Sequence, residues 1–129
     1  MRTDEELVEA ARKAARKAYA PYSNFRVGAS VLTSDGAMFS SANVENAAYP
    51  VSQCAEANAI NFAVSQGMTS IPVVAVACID ANDVDGAYPC GRCRQIMAEF
   101  GVERILVTTA DGDVKAHTLD DLLPHRFML

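Results

Sequence analysis

Three cysteines and one glutamate constrain this chain more than any other feature. Cys54 and Glu56 stand in the segment Cys-Ala-Glu, and Cys90 and Cys93 follow in Pro-Cys-Gly-Arg-Cys. Three thiolates suit a zinc ion, which takes four tetrahedral ligands, so one position stays open for water. Bound zinc makes water a usable nucleophile near neutral pH, and a neighbouring carboxylate can carry its protons. The pattern predicts a catalytic site with one Zn²⁺ per chain, ligated by Cys54, Cys90 and Cys93, with Glu56 as the catalytic residue.

Both cysteine groups fall where the sequence predicts a change from loop to helix. Cys54 opens a predicted helix over 54–66, and Cys90 precedes another over 91–100. Helix N-termini stabilise anions and therefore lower thiol pKa values. Cys90 and Cys93 are three positions apart and so share a helical face. We expect two helix starts to converge on one ion.

The rest of the chain alternates strands with helices. This order favours an α/β fold, in which a mixed five-stranded sheet lies between helices in three α/β/α layers, within a single domain over 1–129. The other predicted elements are a helix over 3–18, strands over 26–33, 37–44, 72–79, 104–109 and 113–117, and a helical turn over 118–123.

Composition narrows the classes of partner. The chain has 129 residues, half of them hydrophobic, and a formal net charge of −5. Nucleic-acid-binding proteins usually carry a basic surface, so a small-molecule substrate is favoured over a nucleic acid. No apolar stretch reaches the roughly 18–20 residues that cross a membrane, and the charged N-terminal segment differs from a signal peptide. We therefore expect a cytoplasmic protein with no membrane partner.

A Cys-x-x-Cys pair also occurs in sites of other kinds. In a non-catalytic zinc module a fourth ligand closes the coordination, and His117 or His125 could supply it. In a thiol oxidoreductase the pair opens a helix after a strand, which leaves Cys54 without a role. Both readings remain open at this point. Cys78 lies in an apolar run and is expected to pack as a small hydrophobic residue.

Several polar and aromatic residues near these cysteines are further candidates. Three thiolates leave an excess of negative charge around Zn²⁺, and Arg92 or Arg94, next to the ligands, could offset it. Arg94 is favoured as a site residue because it follows the last ligand in the same helical turn. Asn43 and Glu45 are two positions apart at a strand end, so their side chains share a face and suit a diol such as a ribose. The two aromatic residues that could stack on a flat ring are Phe25 and Tyr49.

Five motifs together resemble the cytidine deaminase family, in its small homotetrameric zinc-dependent type. They occur in the family's order, and the resemblance covers nearly the whole chain. A three-cysteine zinc site with a non-ligating glutamate is one form of the zinc deaminase site. The motifs are A-P-Y-S-N-F-R-V-G-A at 20–29, N-V-E-N-A at 43–47, C-A-E at 54–56, P-C-G-R-C-R-Q at 89–95 and L-L-P-H-R-F at 122–127.

The resemblance implies hydrolytic deamination of cytidine, deoxycytidine or both, in pyrimidine salvage. Asn43 and Glu45 would hold the sugar hydroxyls, and Phe25 would line the base pocket. The Ala55 N–H would donate to the pyrimidine O2. Glu56 would accept a proton from the attacking water, protonate N3 of the ring and assist the departure of ammonia.

The resemblance also implies a homotetramer with shared active sites. Phe127 in the C-terminal segment would reach the pocket of a neighbouring subunit. The apolar face of the predicted helix over 54–66, with Ile60 and Phe62, is a candidate interface.

Two positions depart from the pattern of the family. Members of this type commonly carry arginine directly after Cys-Ala-Glu, where this chain has Ala57. The segment Pro50-Val51-Ser52-Gln53 precedes the first ligand where the family usually has a smaller, glycine-containing segment, and Gln53 adds a bulky polar side chain near the pocket. We predict that Arg92 partly replaces the lost cation. Because both departures are near the pocket, a modified cytosine nucleoside or a nucleoside antibiotic such as blasticidin S is the alternative substrate.

Overall fold

A computed structural model describes residues 2–129 and contains one five-stranded sheet with helices on both faces. The sheet has the order β2-β1-β3-β4-β5. β3 and β4 run parallel and the other neighbours run antiparallel, so the sheet is mixed, as predicted. The strands are β1 (Val27–Leu32), β2 (Met38–Ala42), β3 (Val73–Cys78), β4 (Arg104–Thr109) and β5 (Lys115–Thr118). The α-helices are α1 (Asp4–Ala15), α2 (Ala55–Ser65), α3 (Gly91–Glu99) and α4 (Leu119–Leu122).

Alternation along the central strand β3 separates two cores. All six residues of β3 are buried because helices cover both faces of the sheet. Val74, Val76 and Cys78 pack into the larger core, together with residues of α2 and α3. Val73, Ala75 and Ala77 face the smaller core, formed with α1. The predicted three-layer α/β/α arrangement is therefore confirmed.

The helix α1 is fixed at its start by a capping box. The Thr3 hydroxyl accepts a hydrogen bond from the Glu6 N–H (3.2 Å), and the Glu6 carboxylate accepts one from the Thr3 N–H (3.4 Å). These bonds satisfy N–H groups that have no partner within the helix. The buried face, which includes Leu7, Val8 and Ala11, lies on the sheet.

Gly28 allows α1 to approach the sheet closely. A Cβ atom at this position would lie 1.9 Å from the carbonyl oxygen of Ala11 and 2.5 Å from the backbone nitrogen of Ala15. These separations are far below van der Waals contact, so glycine is required here by the packing of backbone against backbone.

The sheet topology brings the predicted site residues to one edge. The parallel pair β3–β4 requires a crossover, and α3 lies within it. The loop after β3 therefore delivers Cys90 to the carboxyl end of the sheet. Pockets of α/β sheets form at the carboxyl ends of strands where the strand direction or connection changes, as it does between β1 and β3.

Element boundaries differ from prediction in a few places. The helix predicted over 3–18 ends at Ala15, because Tyr19 leaves the helical path to bridge with Val44. The strand predicted over 113–117 runs from Lys115 to Thr118. The loop regions also contain two short 3₁₀ helices that were not predicted, Tyr49–Val51 and Val84–Ala87. The other elements lie within two residues of their predicted bounds.

No helix within residues 2–129 has both the length and the apolar character that are needed to span a membrane.

Candidate active site

Two helix starts bring three thiols together. Cys54 is the N-cap of α2, Cys90 is the N-cap of α3, and Cys93 lies in the first turn of α3. Their sulfur atoms all lie within 4.8 Å of one another. Cys93 is buried, Cys54 is half-buried and Cys90 is exposed. The structure thus assembles the three predicted metal ligands at one point.

The electrostatics of these thiols suit a cation. A hydrogen bond from the Cys93 thiol lowers the pKa of Cys54 to about 6, and the Arg92 charge adds to this effect. The same hydrogen bond raises the pKa of Cys93, because the thiol that donates it retains its proton, and burial adds to the rise. A divalent ion bound to the sulfur atoms would favour their thiolate forms. Three soft sulfur donors at one point favour the binding of zinc over that of Mg²⁺ or Ca²⁺, which prefer oxygen ligands.

Glu56 lies in the first turn of α2, two residues after the first thiol, and is 4% exposed. Burial raises the pKa of its carboxyl to about 7, and the negative charge of Cys54 contributes to the rise. A carboxyl with a pKa near the working pH can both accept and donate protons. It lies in the same pocket as Cys54 and Cys90, so its protons are within reach of a molecule bound there.

The pocket beside the thiols has a volume of about 310 Å³, within the range of small-molecule sites. It contains seven residues singled out from the sequence: Phe25, Asn43, Glu45, Cys54, Ala55, Glu56 and Cys90. It also contains Cys78, which was predicted only to pack in the core, and five residues that sequence reasoning missed: Ser23, Val27, Gly86, Ala87 and Tyr88. Ser23 and Val27 lie inside the first family motif and Tyr88 directly precedes the fourth, which was the signal available in the sequence. Gly86 and Ala87 lie in a 3₁₀ helix that was predicted as loop.

Asn43 supports the pocket as well as facing it. Its Oδ1 accepts a hydrogen bond from the Val27 N–H (2.9 Å), and its Nδ2 donates to the Phe25 carbonyl (3.0 Å). The amide therefore fixes the chain that carries the Phe25 ring. One N–H and one lone pair of the amide remain for a ligand.

Glu45 is held by the chain around Ser23. Its carboxylate accepts hydrogen bonds from the backbone N–H groups of Tyr22 and Ser23 (both 3.0 Å) and from the Ser23 hydroxyl. The bond from Ser23 is the main reason that the pKa of Glu45 is lowered, so the group stays ionised. A carboxylate has about four acceptor sites, which leaves capacity for a ligand hydroxyl.

Tyr88 and Cys78 form part of the pocket wall. The Tyr88 hydroxyl is 2.7 Å from Nε2 of His117, and the two rings meet edge to face. His117 is thus engaged with Tyr88. Cys78 is buried at the end of β3, and burial raises the pKa of its thiol to about 11, which keeps it neutral. The prediction that Cys78 packs as a small hydrophobic residue is confirmed by its place in the core.

Two predicted substrate contacts lie outside this pocket. Tyr49 is 63% exposed and contacts Tyr22 edge to face. Phe127 is 69% exposed, and its backbone carbonyl accepts a hydrogen bond from Gln95 (2.9 Å). Within residues 2–129 of one chain, neither ring reaches the thiol cluster's pocket.

The two arginines next to the ligands behave differently. Arg92 donates to the Gln53 side chain (3.0 Å) and lies close enough to Cys54 to lower its pKa. Arg94 donates to the backbone carbonyls of Pro89 (2.8 Å) and Leu122 (2.7 Å). Arg94 therefore anchors the loop before the ligands to the C-terminal segment, and Arg92 is the cation beside the thiols.

The cluster also bears on the alternatives left open by the sequence. Within residues 2–129 the metal-ligating cluster consists of three cysteines, without His117 or His125. The described residues therefore do not form a closed four-ligand site. Cys54 belongs to the same cluster as the Cys-x-x-Cys pair, which a thiol oxidoreductase would not require.

Comparisons with known proteins agree with this geometry. The family model for the cytidine and deoxycytidylate deaminase zinc-binding region matches residues 1–109 of this chain. A cytidine deaminase of Sporosarcina psychrophila is 41% identical over 126 residues, which cover 95% of this chain and 90% of that protein. A crystal structure of cytidine deaminase from Burkholderia pseudomallei superposes with a TM-score of 0.89 at 42% identity, covering 98% of this chain and all of that one.

A more distant relative bears on the alternative substrate. Blasticidin-S deaminase of Bacillus cereus is 30% identical over 129 residues, which cover 96% of this chain and 91% of that protein. The identity is lower than that of the cytidine deaminase of Sporosarcina psychrophila by 11 percentage points, from 41% to 30%.

Proposed function

This chain belongs to the cytidine and deoxycytidylate deaminase family, and we propose that it hydrolyses cytidine, deoxycytidine or both to the uracil nucleoside and ammonia. The observation that carries the proposal is the position of Glu56. It is a buried carboxyl beside three metal-ligating thiols, in a pocket of about 310 Å³. This combination suits the addition of water to a carbon atom followed by loss of an amine.

The metal contributes the activation of water. Cys54, Cys90 and Cys93 would hold a zinc ion, which, when bound, lowers the pKa of a water in its open position. The two helix starts stabilise the thiolates that hold it.

Glu56 moves the protons in the reaction that we propose. It accepts a proton from the attacking water as the new C4–O bond forms, and passes that proton to N3 of the cytosine ring. In the second half it transfers the remaining hydroxyl proton to the amine, so the C4–N bond breaks and ammonia leaves. Its pKa of about 7 suits both directions of transfer.

The pocket would recognise the nucleoside through fixed polar groups. Glu45, kept ionised by Ser23, accepts from a sugar hydroxyl, and the remaining amide N–H of Asn43 donates to one. The Ala55 N–H opens α2 and has no partner within the helix, so it is free to donate to the pyrimidine O2. Phe25 closes the pocket against the base.

A substrate panel tests this function. Purified zinc-loaded protein is incubated with cytidine, deoxycytidine, blasticidin S and adenosine, and ammonia release is measured together with ultraviolet absorbance. We expect turnover of cytidine or deoxycytidine, and slower or no turnover of the other two compounds. Turnover of blasticidin S alone would establish the alternative substrate and contradict the proposal, as would the absence of ammonia with every compound.

The assembly and setting are further parts of the proposal. We propose a homotetramer in which Phe127 enters the pocket of a neighbouring subunit and residues 1–129 act as one catalytic domain. The exposure of three aromatic rings, Tyr49, Phe62 and Phe127, supports a covered surface in the assembled protein. Free thiols at Cys54, Cys90 and Cys93 support a reducing compartment such as the cytoplasm, and a nucleoside product supports a role in pyrimidine salvage.

A further inference from the structure

A side-chain hydrogen bond joins the two segments that carry the metal ligands, in addition to the contacts among the thiols themselves. Oε1 of Gln53 accepts a hydrogen bond from Nη2 of Arg92 at 3.0 Å. Gln53 directly precedes the first ligand, Cys54, and Arg92 stands between the other two, Cys90 and Cys93. The contact therefore joins the two chain segments that carry the three ligands, across 39 positions of sequence.

Both ends of this contact are fixed by their backbones. The Gln53 N–H donates to the Val44 carbonyl (2.9 Å), and the Gln53 carbonyl accepts from the Val44 N–H (3.0 Å). Arg92 lies in the first turn of α3. Its side chain is long and its residue is exposed, so a free guanidinium would sample many rotamers in solvent. The bond to Gln53 restricts that freedom.

The local charge explains why the position of Arg92 matters. Three thiolates exceed the charge of one Zn²⁺, and Ala57, the residue after Glu56, carries no charge. Arg94 is engaged with the carbonyls of Pro89 and Leu122. Of the two arginines next to the ligands, Arg92 is therefore the one whose guanidinium reaches the segment that carries Cys54.

We infer that Gln53 is a positioning residue, which through its hydrogen bond holds the Arg92 guanidinium beside the three metal-binding thiolates and so offsets their excess negative charge. The inference rests on the zinc-dependent function proposed above. Gln53 acts here through Arg92 and not by contact with the substrate. Removal of a group that interacts with the metal ligands commonly weakens metal binding by about 10- to 100-fold.

A double-mutant cycle on zinc affinity tests this inference. Zinc dissociation constants are measured by competition with a chelator for the wild type, Gln53→Leu, Arg92→Gln and the double variant. We expect each single variant to bind zinc about tenfold more weakly. The double variant should be no weaker than Arg92→Gln, because Gln53 acts only through Arg92. The matched control is Gln66→Leu, at the exposed C-terminal end of α2, which should bind zinc like the wild type.

Turnover gives a second readout. With saturating zinc, Gln53→Leu should lower kcat and leave KM for the nucleoside nearly unchanged. If Gln53→Leu does not fold, Gln53→Met is used in its place, because the methionine side chain is flexible and similar in volume to glutamine. Wild-type zinc affinity in either folded variant, or full additivity in the double variant, would overturn the inference.

The two proposals fail separately. If the wild type deaminates cytidine and Gln53→Leu binds zinc normally, the positioning role is wrong and the function stands. If zinc binding weakens as expected but no nucleoside is deaminated by the wild type, the positioning role stands and the proposed function is wrong.

Discussion

The two carboxyl groups of the pocket, Glu56 and Glu45, have different local environments, which shift their pKa values in opposite directions. Burial raises the pKa of Glu56 to about 7, whereas hydrogen bonds from Ser23 and its neighbours lower the pKa of Glu45. The first carboxyl can therefore exchange protons near neutral pH, and the second stays charged, as its proposed role in binding sugar hydroxyls requires. Two carboxyls in one pocket thus acquire different protonation behaviour from their environments.

Ser23 provides a prediction at the residue scale. Its hydroxyl donates to Glu45 and accepts from the Phe25 N–H (3.0 Å), so it orients both a hydroxyl-binding group and a pocket wall. We expect Ser23→Ala to raise KM for the nucleoside roughly fivefold, which corresponds to the loss of about 1 kcal/mol, while kcat changes little. Steady-state kinetics measure this effect. Ser34→Ala, in the exposed turn before β2, is the control. A change confined to kcat would contradict the role given to Ser23.

Individual residues were predictable to the extent that their chemistry is local. The three cysteines and Glu56 could be found because zinc ligands and a proton carrier have characteristic spacings. The contacts of Ser23 with Glu45 and of Tyr88 with His117, which lie 22 and 29 residues away, were not predictable from spacing, although Ser23 lies in a family motif and Tyr88 directly precedes one. Whether Phe127 contacts substrate depends on a neighbouring subunit, so that prediction stays open.

At the scale of elements, the sheet is built to support two helix starts. The crossover between β3 and β4 places the N-terminus of α3 beside that of α2, and α1 seals the opposite face. The strands and main helices were predictable from alternation and from cap residues such as Thr3. The 3₁₀ helices and the early end of α1 were not, since the bridge between Tyr19 and Val44 is a tertiary contact.

Gly28 provides a prediction at the element scale. In Gly28→Ala the new methyl group would meet the backbone of α1, so the helix must move away from the sheet. We expect the free energy of unfolding to fall by about 1–3 kcal/mol or more, as for other overpacked cores. Urea denaturation measures the loss. Ser40→Ala, at an exposed position of the neighbouring β2, should change the stability by less than about 0.5 kcal/mol. Equal stability of Gly28→Ala and the wild type would show that α1 docks more loosely than described.

At the scale of the whole molecule, the proposed homotetramer predicts that active sites are shared. Phe127→Ala should lose activity because it removes an aromatic ring from the pocket of a neighbouring subunit. Glu56→Gln should lose activity because it removes the proton-transferring group from the pocket of the same chain. Mixed tetramers formed by refolding the two variants together should regain part of the activity. In such hybrids, a pocket with the intact Glu56 of the Phe127→Ala chain can receive the intact Phe127 of a Glu56→Gln chain. Native mass spectrometry, which resolves the small mass difference between the two variants, shows whether hybrids form.

Recovery of activity in the hybrids would support a shared site. Hybrids that form but stay inactive would contradict it, since each chain would then supply Phe127 to its own pocket. A protein that sediments as a monomer would contradict the tetramer itself.

The most direct test of the central claim compares zinc content and cytidine turnover in the wild type and in Glu56→Gln. The substitution keeps the shape of the side chain but removes its ability to accept a proton. We predict one zinc per chain in both proteins, with turnover of the variant reduced by about 10²–10⁴-fold, the usual contribution of general acid–base catalysis. Turnover of Glu56→Gln at the wild-type rate, with zinc still bound, would contradict the claim that Glu56 carries the protons of this reaction.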